Sequence, residues 1–171
     1  KGLELESKIE SNVPAIIVTD SGRLEQILLN LISNALKFTE KGSISLYLTS
    51  PKPGKVTFQV RDTGIGIKDS NLSKLFRVFG KLDLGAKSSL NPTGIGLGLV
   101  ISNALSKSLN SDENEGGLKV ESVFGKGSCF SFTIDDLAYF EQENFYFSNE
   151  DPGSFCSTPK QKLQTKPTSI I

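Results

Sequence analysis

Three short stretches of this sequence combine residue types that could hold a phosphorylated ligand. Asn30, Asn34 and Lys37 are spaced by four and three residues, so on a helix they share one stripe. Asparagine is a mediocre helix former, and two of them on an otherwise apolar helix need a reason. The ordinary reason is hydrogen bonding to neighbouring loops or a place at the solvent edge. The chemical one is a hard-cation site, in which the amide oxygen of Asn34 ligates magnesium, an ion that keeps most of its waters and shares phosphate oxygens. Lys37, one turn on, then meets a phosphate.

The second stretch is Asp62-Thr63-Gly64-Ile65-Gly66. Asp-x-Gly is common turn chemistry. A carboxylate there can also accept a hydrogen bond from an exocyclic amine such as adenine's, while Gly64 and Gly66 let a flat ring approach the backbone. Asp62 is then a specificity residue with no part in the chemical step. The third stretch, Gly94-Ile95-Gly96-Leu97-Gly98-Leu99, leads into a helix, whose outward N–H groups and dipole favour a polyanion, phosphates above all. Its glycines alternate and follow a loop, unlike the dinucleotide fingerprint, and no Gly-Lys-Ser/Thr follows, unlike a Walker loop. A purely structural glycine run is the competing reading. Phe76 and Phe79 read as apolar anchors at the base of the loop after them.

These groups need elements to position them. Two short strands are expected before residue 20, at 3–9 and 15–18. Asp20 or Ser21 can cap a helix whose apolar residues Leu24, Ile27, Leu28, Leu31, Ile32, Ala35, Leu36 and Phe38 fall at helical spacing, with Lys41-Gly42 as its stop. Strands at 43–49 and 56–60 flank a hairpin turn at 51–54, and 71–79 suits a short helix. Residues 82–93 have the aperiodic, Gly- and Ser-rich composition of a mobile loop. A second amphipathic helix is expected over 97–109, and 118–123 with 128–134 read as a hairpin turning at Gly125-Lys126-Gly127. Asp112 to Glu115 is a solvated turn.

Composition sets the bounds. A chain of 171 residues with 37% apolar side chains supports one domain plus a tail, here 1–134 and a flexible linker over 135–171, rich in Ser, Thr, Pro, Lys and Gln. Lysine and arginine total 19 and aspartate and glutamate total 19, so no overall field attracts nucleic acid or an anionic membrane. Cys129 and Cys156 are too few for a disulfide framework or a metal cluster and read as free cytosolic thiols. No apolar run reaches the roughly 20 residues that span a bilayer. The chain starts at Lys1 and contains neither methionine nor histidine, which reads as a piece of something longer. It also excludes a histidine base, a histidine triad and histidine-ligated zinc in these residues.

Taken in order, the segments resemble the catalytic and ATP-binding domain of histidine kinases, within the wider group of gyrase, the heat-shock chaperone ATPases and the mismatch-repair ATPases. The run from Arg23 to Thr39 looks like the N box, Asp62 to Gly66 the G1 box, Leu75 to Phe79 the F box and Gly94 to Leu99 the G2 box. Gly125-Lys126-Gly127-Ser128 looks like a G3 element. The resemblance covers about residues 1 to 134, and four ordered boxes carry far more weight than any one of them.

The resemblance implies an α/β fold of the Bergerat type, an α+β two-layer sandwich with helices packed on one face of a mixed β-sheet and a mobile ATP lid at about 80–93. It implies ATP and Mg2+ as cofactors: Asn34 on the metal, Asn30 and Lys37 at the phosphates, and Asp62 reading adenine. Gly64, Gly66 and Phe79 belong to the nucleotide-binding set, and Gly94, Gly96, Leu97 and Gly98 hinge the lid and cradle phosphates. Lys81 stands where many relatives place a basic residue near the transferring phosphoryl group, so Asn30, Lys37 and Lys81 form the catalytic set.

ATP-hydrolysing relatives carry a glutamate base where this sequence has Asn30, and an amide cannot take a proton from water. Phosphoryl transfer is therefore favoured over ATPase work. The expected enzyme is an ATP-dependent protein histidine kinase lacking its phospho-acceptor, with a hybrid sensor kinase as its parent. Its partner is a histidine-bearing dimerisation domain in the parent or another chain, with a receiver domain as a further candidate. Neither nucleic acid nor membrane contact is expected, and the piece is read as monomeric and cytoplasmic whether or not the parent is membrane-anchored. The alternatives are a nucleotide-binding regulatory module without phosphotransfer and an ATPase-driven clamp. Three departures from the family pattern stand out: Ile95 in place of a small hydroxyl residue, Gly80 in place of an aromatic or polar one, and a longer loop at 110–115.

Overall fold

A computed structural model describes residues 1–76 and 97–141 and the backbone of 169–170. Its centre is a five-stranded sheet of β1 (Glu4–Ile9), β3 (Ser43–Lys52), β4 (Lys55–Asp62), β5 (Lys119–Val123) and β6 (Gly127–Asp135), in the order β1-β3-β4-β6-β5. β1 runs parallel to β3 and the other pairs are antiparallel, so the sheet is mixed. β2 (Val18–Thr19) lies outside it and pairs with β7 (Ser169–Ile170). The expected second strand thus shrinks to two residues, because Ala15 and Ile16 are exposed and find no ladder.

The helix α1 (Ser21–Phe38) starts at Asp20, whose carboxylate accepts the Arg23 N–H at 3.0 Å. Replacing such a cap costs about 1 kcal/mol, so Asp20→Ala is expected to lower stability by that amount in urea unfolding, with the slope of the transition unchanged. The helix ends at Phe38, short of Lys41-Gly42. The Phe38 carbonyl is taken by the Ile65 N–H at 3.2 Å, and the Lys1 ammonium donates to the Leu36 carbonyl at 2.6 Å and the Thr39 carbonyl at 3.2 Å. The last carbonyls thereby gain partners that the helix itself cannot supply.

Leu24, Ile27, Leu31 and Ala35 of α1 are buried with Ile44, Val56, Phe58, Val60, Phe130, Phe132 and Ile134 of the sheet. Register explains the row: Val56 faces Ile134, Phe58 faces Phe132, Val60 faces Phe130, and Asp62 faces Ser128. Directly paired residues share a face, and the Phe58 and Phe132 rings stack at 5.3 Å. Apolar pairs thus run along the helix-covered face and give way to a polar pair at the end that holds Asp62.

The helix α2 (Asp69–Leu72) is shorter than expected from the sequence. After it, Lys74 N–H bonds the Asn71 carbonyl and Leu75 N–H the Leu72 carbonyl, three-residue closures that tighten the chain out of α-helical geometry. The helix α3 (Gly98–Ser108) lies beside α1. At the far end of the sheet, Lys55 and Asp135 form a buried ion pair, and Lys55 Nζ also donates to Asn110 Oδ1 at 2.7 Å. Asp135 Oδ2 accepts the Ser111 N–H at 2.7 Å, and Asp136 Oδ1 accepts the Val18 N–H at 3.0 Å.

Candidate nucleotide site

Asp62 is the last residue of β4 and is 8% exposed. Its Oδ1 accepts the Gly64 N–H at 2.8 Å. Burial pushes its pKa up, and the backbone N–H groups of Gly64 and Ser128 pull it partly back. A carboxyl left with so little solvent needs donors to stay ionised, and a ligand can bring one.

The glycines after it form a cradle. A Cβ on Gly64 would run into the Phe38 carbonyl and the Asp62 carboxylate, and Gly66 sits at φ 62° with the Val123 carbonyl against it. Side chains are excluded by contact at both positions and, at Gly66, by φ as well. The loop is tied down on both sides. Thr63 N–H donates to the Ser43 carbonyl at 3.1 Å, and the Gly125 N–H, in the β5–β6 turn, donates to the Ile65 carbonyl at 2.8 Å. Ile67 N–H donates to Ser122 Oγ at 2.8 Å.

Asn30, Asn34 and Lys37 are all half-buried on α1. Asn30 Nδ2 donates to Ser102 Oγ of α3 at 2.8 Å, so its Oδ1 is held on the other side, where a Cβ on Gly98 would strike it. Gly98 is therefore required where α3 begins, and the Asn30 amide and the first turn of α3 form one surface. Lys37 lies with its ammonium 5.3 Å from the Phe38 ring centroid. Asn30 precedes Phe38 by two turns, about 12 Å along the helix, and Phe38 abuts the glycine loop. The structure thus sets Asp62, Gly64 and Gly66 at one end of the α1 stripe and Asn30, Leu97 and Gly98 at the other.

Phe76 packs against the core as expected. Phe79, Lys81, Gly94, Gly96 and the lid at about 80–93 lie outside the described residues, as does Cys156. Cys129 is a free thiol, pushed above its usual range by burial first and by Glu121 second, which makes it a poor nucleophile. Among the described residues no three His, Cys, Asp or Glu side chains gather as a metal cluster. The oxygen donors on the α1 stripe are neutral amides, which fit a hard ion shared with phosphate and do not form a closed protein cage. Among the described residues no helix is long and apolar enough to cross a membrane.

Sequence reasoning passed over Ser102 and Ser122. Ser102 is 1% exposed in α3, and its signal was a hydroxyl at a helical position otherwise expected to be apolar. Ser122 sits opposite Ser128 across the β5–β6 turn, a pairing visible once the hairpin at Gly125-Lys126-Gly127 is drawn.

Comparison with known proteins agrees with this geometry. Hybrid signal transduction histidine kinase B of Dictyostelium discoideum is 44% identical over 138 residues, covering 78% of this chain and 7% of that protein. The signal transduction histidine-protein kinase BarA of Escherichia coli strain K12 is 37% identical over 174 residues, covering 99% of this chain and 18% of that protein. The chain therefore spans less than a fifth of either relative. A crystal structure of full-length ShkA in complex with AMPPNP superposes with a TM-score of 0.64 at 35% identity, over 78% of this chain and 25% of that one. The mixed sheet with helices on one face is thus the Bergerat-type α/β fold anticipated from the motifs. The family of histidine kinase-, DNA gyrase B- and HSP90-like ATPases matches residues 19–138, and the chain belongs to that family.

Proposed function

We propose that this chain is the catalytic ATP-binding domain of a hybrid sensor histidine kinase, which passes the γ-phosphoryl group of Mg-ATP to a histidine on a dimerisation domain. The observation that carries this reading is the pairing of a buried, glycine-cradled carboxylate, Asp62, with an amide, Asn30, at the far end of the same helix stripe. In this reading Asp62 accepts the adenine amine, and Gly64, Gly66 and Phe79 bound the ring. Asn30, Lys37, Leu97 and Gly98 face the phosphates with Gly94 and Gly96, and Lys81 supplies charge at the transferring group. Asn34 would offer its amide oxygen to magnesium, which would supply positive charge to offset that of the phosphates.

Asn30 has no basic site with which to activate water. A neutral imidazole needs no such base. Its nitrogen lone pair attacks the γ-phosphorus in line, the N–P bond forms as the bond to the bridging oxygen breaks, and ADP leaves with that electron pair. The chain contributes position and electrostatics. Because it contains no histidine, the acceptor comes from elsewhere in the parent or from another chain, with a receiver domain next in the relay. We read the site as acting in the cytoplasm, residues 1–134 as the domain and the remainder as linker.

The test mixes the chain with γ-labelled ATP, magnesium and a recombinant histidine-bearing dimerisation domain. Acid-labile, base-stable label should appear on that domain, and Asn34→Ala should cut its rate by at least about tenfold, the loss of one preorganised electrostatic contact. Label released only as inorganic phosphate would identify an ATPase, and nucleotide bound without transfer would identify a regulatory module.

A further inference from the structure

The polar end of the sheet's inner face holds a hydroxyl pair that the phosphoryl chemistry does not use. Ser122 Oγ lies 2.8 Å from the Ile67 nitrogen, 2.9 Å from the Gly127 carbonyl and 3.0 Å from Ser128 Oγ. A hydroxyl has one proton and two lone pairs. The carbonyl of Gly127 can only accept, so it takes the Ser122 proton. The Ile67 N–H can only donate, so it takes one Ser122 lone pair. What is left for Ser128 is the second lone pair, and Ser128 must donate its own proton to it.

This assignment decides what Ser128 shows to a ligand. Ser128 is the register partner of Asp62 on the same face, with side chains of such pairs about 5 Å apart at Cβ, and it is 8% exposed. With its proton turned towards Ser122, it presents lone pairs beside an acceptor carboxylate. A ring edge carrying an amine meets matching groups there, whereas a keto oxygen, as at the corresponding position of guanine, meets only other acceptors.

We propose that Ser122 fixes the proton of Ser128, makes the base pocket a set of acceptors, and so determines selection of amino-purine over keto-purine nucleotides. The inference rests on Asp62 being the base-contacting carboxylate of the function proposed above. Ser122 is a positioning residue that acts through Ser128.

Calorimetric titration with the β,γ-imido analogues of ATP and GTP, both with magnesium, tests it. The chain should prefer the ATP analogue. In Ser122→Ala the freed Ser128 proton can turn to a keto oxygen, and the preference should fall by about tenfold, the scale of one buried hydrogen bond gained or lost. Ser122→Thr, which keeps the hydroxyl, should stay within about threefold of the parent chain, and the Ser122→Ala/Ser128→Ala double variant should regain part of the parent's preference, because no hydroxyl proton remains to meet a keto oxygen while Asp62 still repels it. A general packing defect would not be reversed by a second deletion. Should Ser122→Ala fail to fold, Ser122→Cys, a weak acceptor of similar shape, should show the same loss of preference. Unchanged preference in a folded Ser122→Ala or Ser122→Cys, or equal loss in the double variant, would overturn the inference while the binding of ATP stands. A parent chain that binds neither analogue would overturn the reading of Asp62 as well.

Discussion

Asp62→Asn should weaken binding of a non-hydrolysable ATP analogue by roughly 30- to 150-fold, corresponding to about 2–3 kcal/mol for a hydrogen bond to a buried charged acceptor. The amide oxygen will turn to the Gly64 N–H, which the carboxylate now holds at 2.8 Å. Its NH2 group is then left facing the adenine amine, donor against donor. The free protein should not lose stability. Burial raises the Asp62 pKa in the folded state, so the ionised form costs stability there. That cost is absent below the carboxyl's unfolded pKa, grows as pH rises through the interval up to the raised folded value, and is complete above it. At neutral pH the variant should melt at or above the parent's temperature.

The same shift gives the parent a pH dependence. As pH falls through the raised value, the acceptor is protonated and affinity for the analogue should drop, approaching about tenfold per pH unit once Asp62 is mostly protonated. The drop should begin above the ordinary aspartate range, and Asp62→Asn should not show it. Calorimetry from neutral to mildly acidic pH reads both effects. Affinity within threefold of the parent, or an identical pH profile in the variant, would remove Asp62 from the base pocket.

The second large effect is on stability. Lys55 is the first residue of β4, 7% exposed at its side chain and ion-paired with Asp135. Lys55→Met keeps the volume but strands the Asp135 anion in the interior, which costs about 3–5 kcal/mol. Domains of this size hold only about 5–15 kcal/mol in total, so the urea midpoint should fall steeply. Adding Asp135→Asn removes the stranded charge and retains an acceptor for the Ser111 N–H, so most of the loss should return and the two changes should be strongly non-additive. A single-variant loss below about 1 kcal/mol would show that Asp135 is solvated or neutral there. Lys55 and Asp62 stand seven residues apart on one strand, about 24 Å. Where Lys55→Met remains folded, its nucleotide affinity should therefore match the parent's, which separates this prediction from the first.

The parts of the fold legible in the sequence are those whose partner is local. The apolar face of α1 and its Asp20 cap are fixed by spacing within 18 residues, and the β3–β4 and β5–β6 hairpins announce themselves by alternation broken at glycine turns. The candidate residues Asn30, Asn34 and Asp62 were also accessible, because each is an odd choice for its position on a helix or strand end, and Lys37 through its spacing from the asparagines. Groups whose role depends on distant pairing were not. Ser102 matters through Asn30, 72 positions away, and Lys55 matters through Asp135. Both strand ends ran past their expected limits, to Lys52 and from Lys55, because the turn between them is tighter than the four residues first assigned to it. α1 ends at Phe38 and not at Lys41-Gly42 because the bond that redirects the chain comes from Ile65, far along the sequence.

The strand order has a consequence for synthesis. β4 lies between β3 and β6, and β6 is the last strand of the main sheet to leave the ribosome. Until residue 135 has emerged, the Val56, Phe58 and Val60 row has one open edge and no aromatic partner for Phe58. Such an edge is a template for pairing with another nascent chain. The polar pair Asp62 and Ser128 closes at that same last step, so the candidate site is completed only when the hazard is gone.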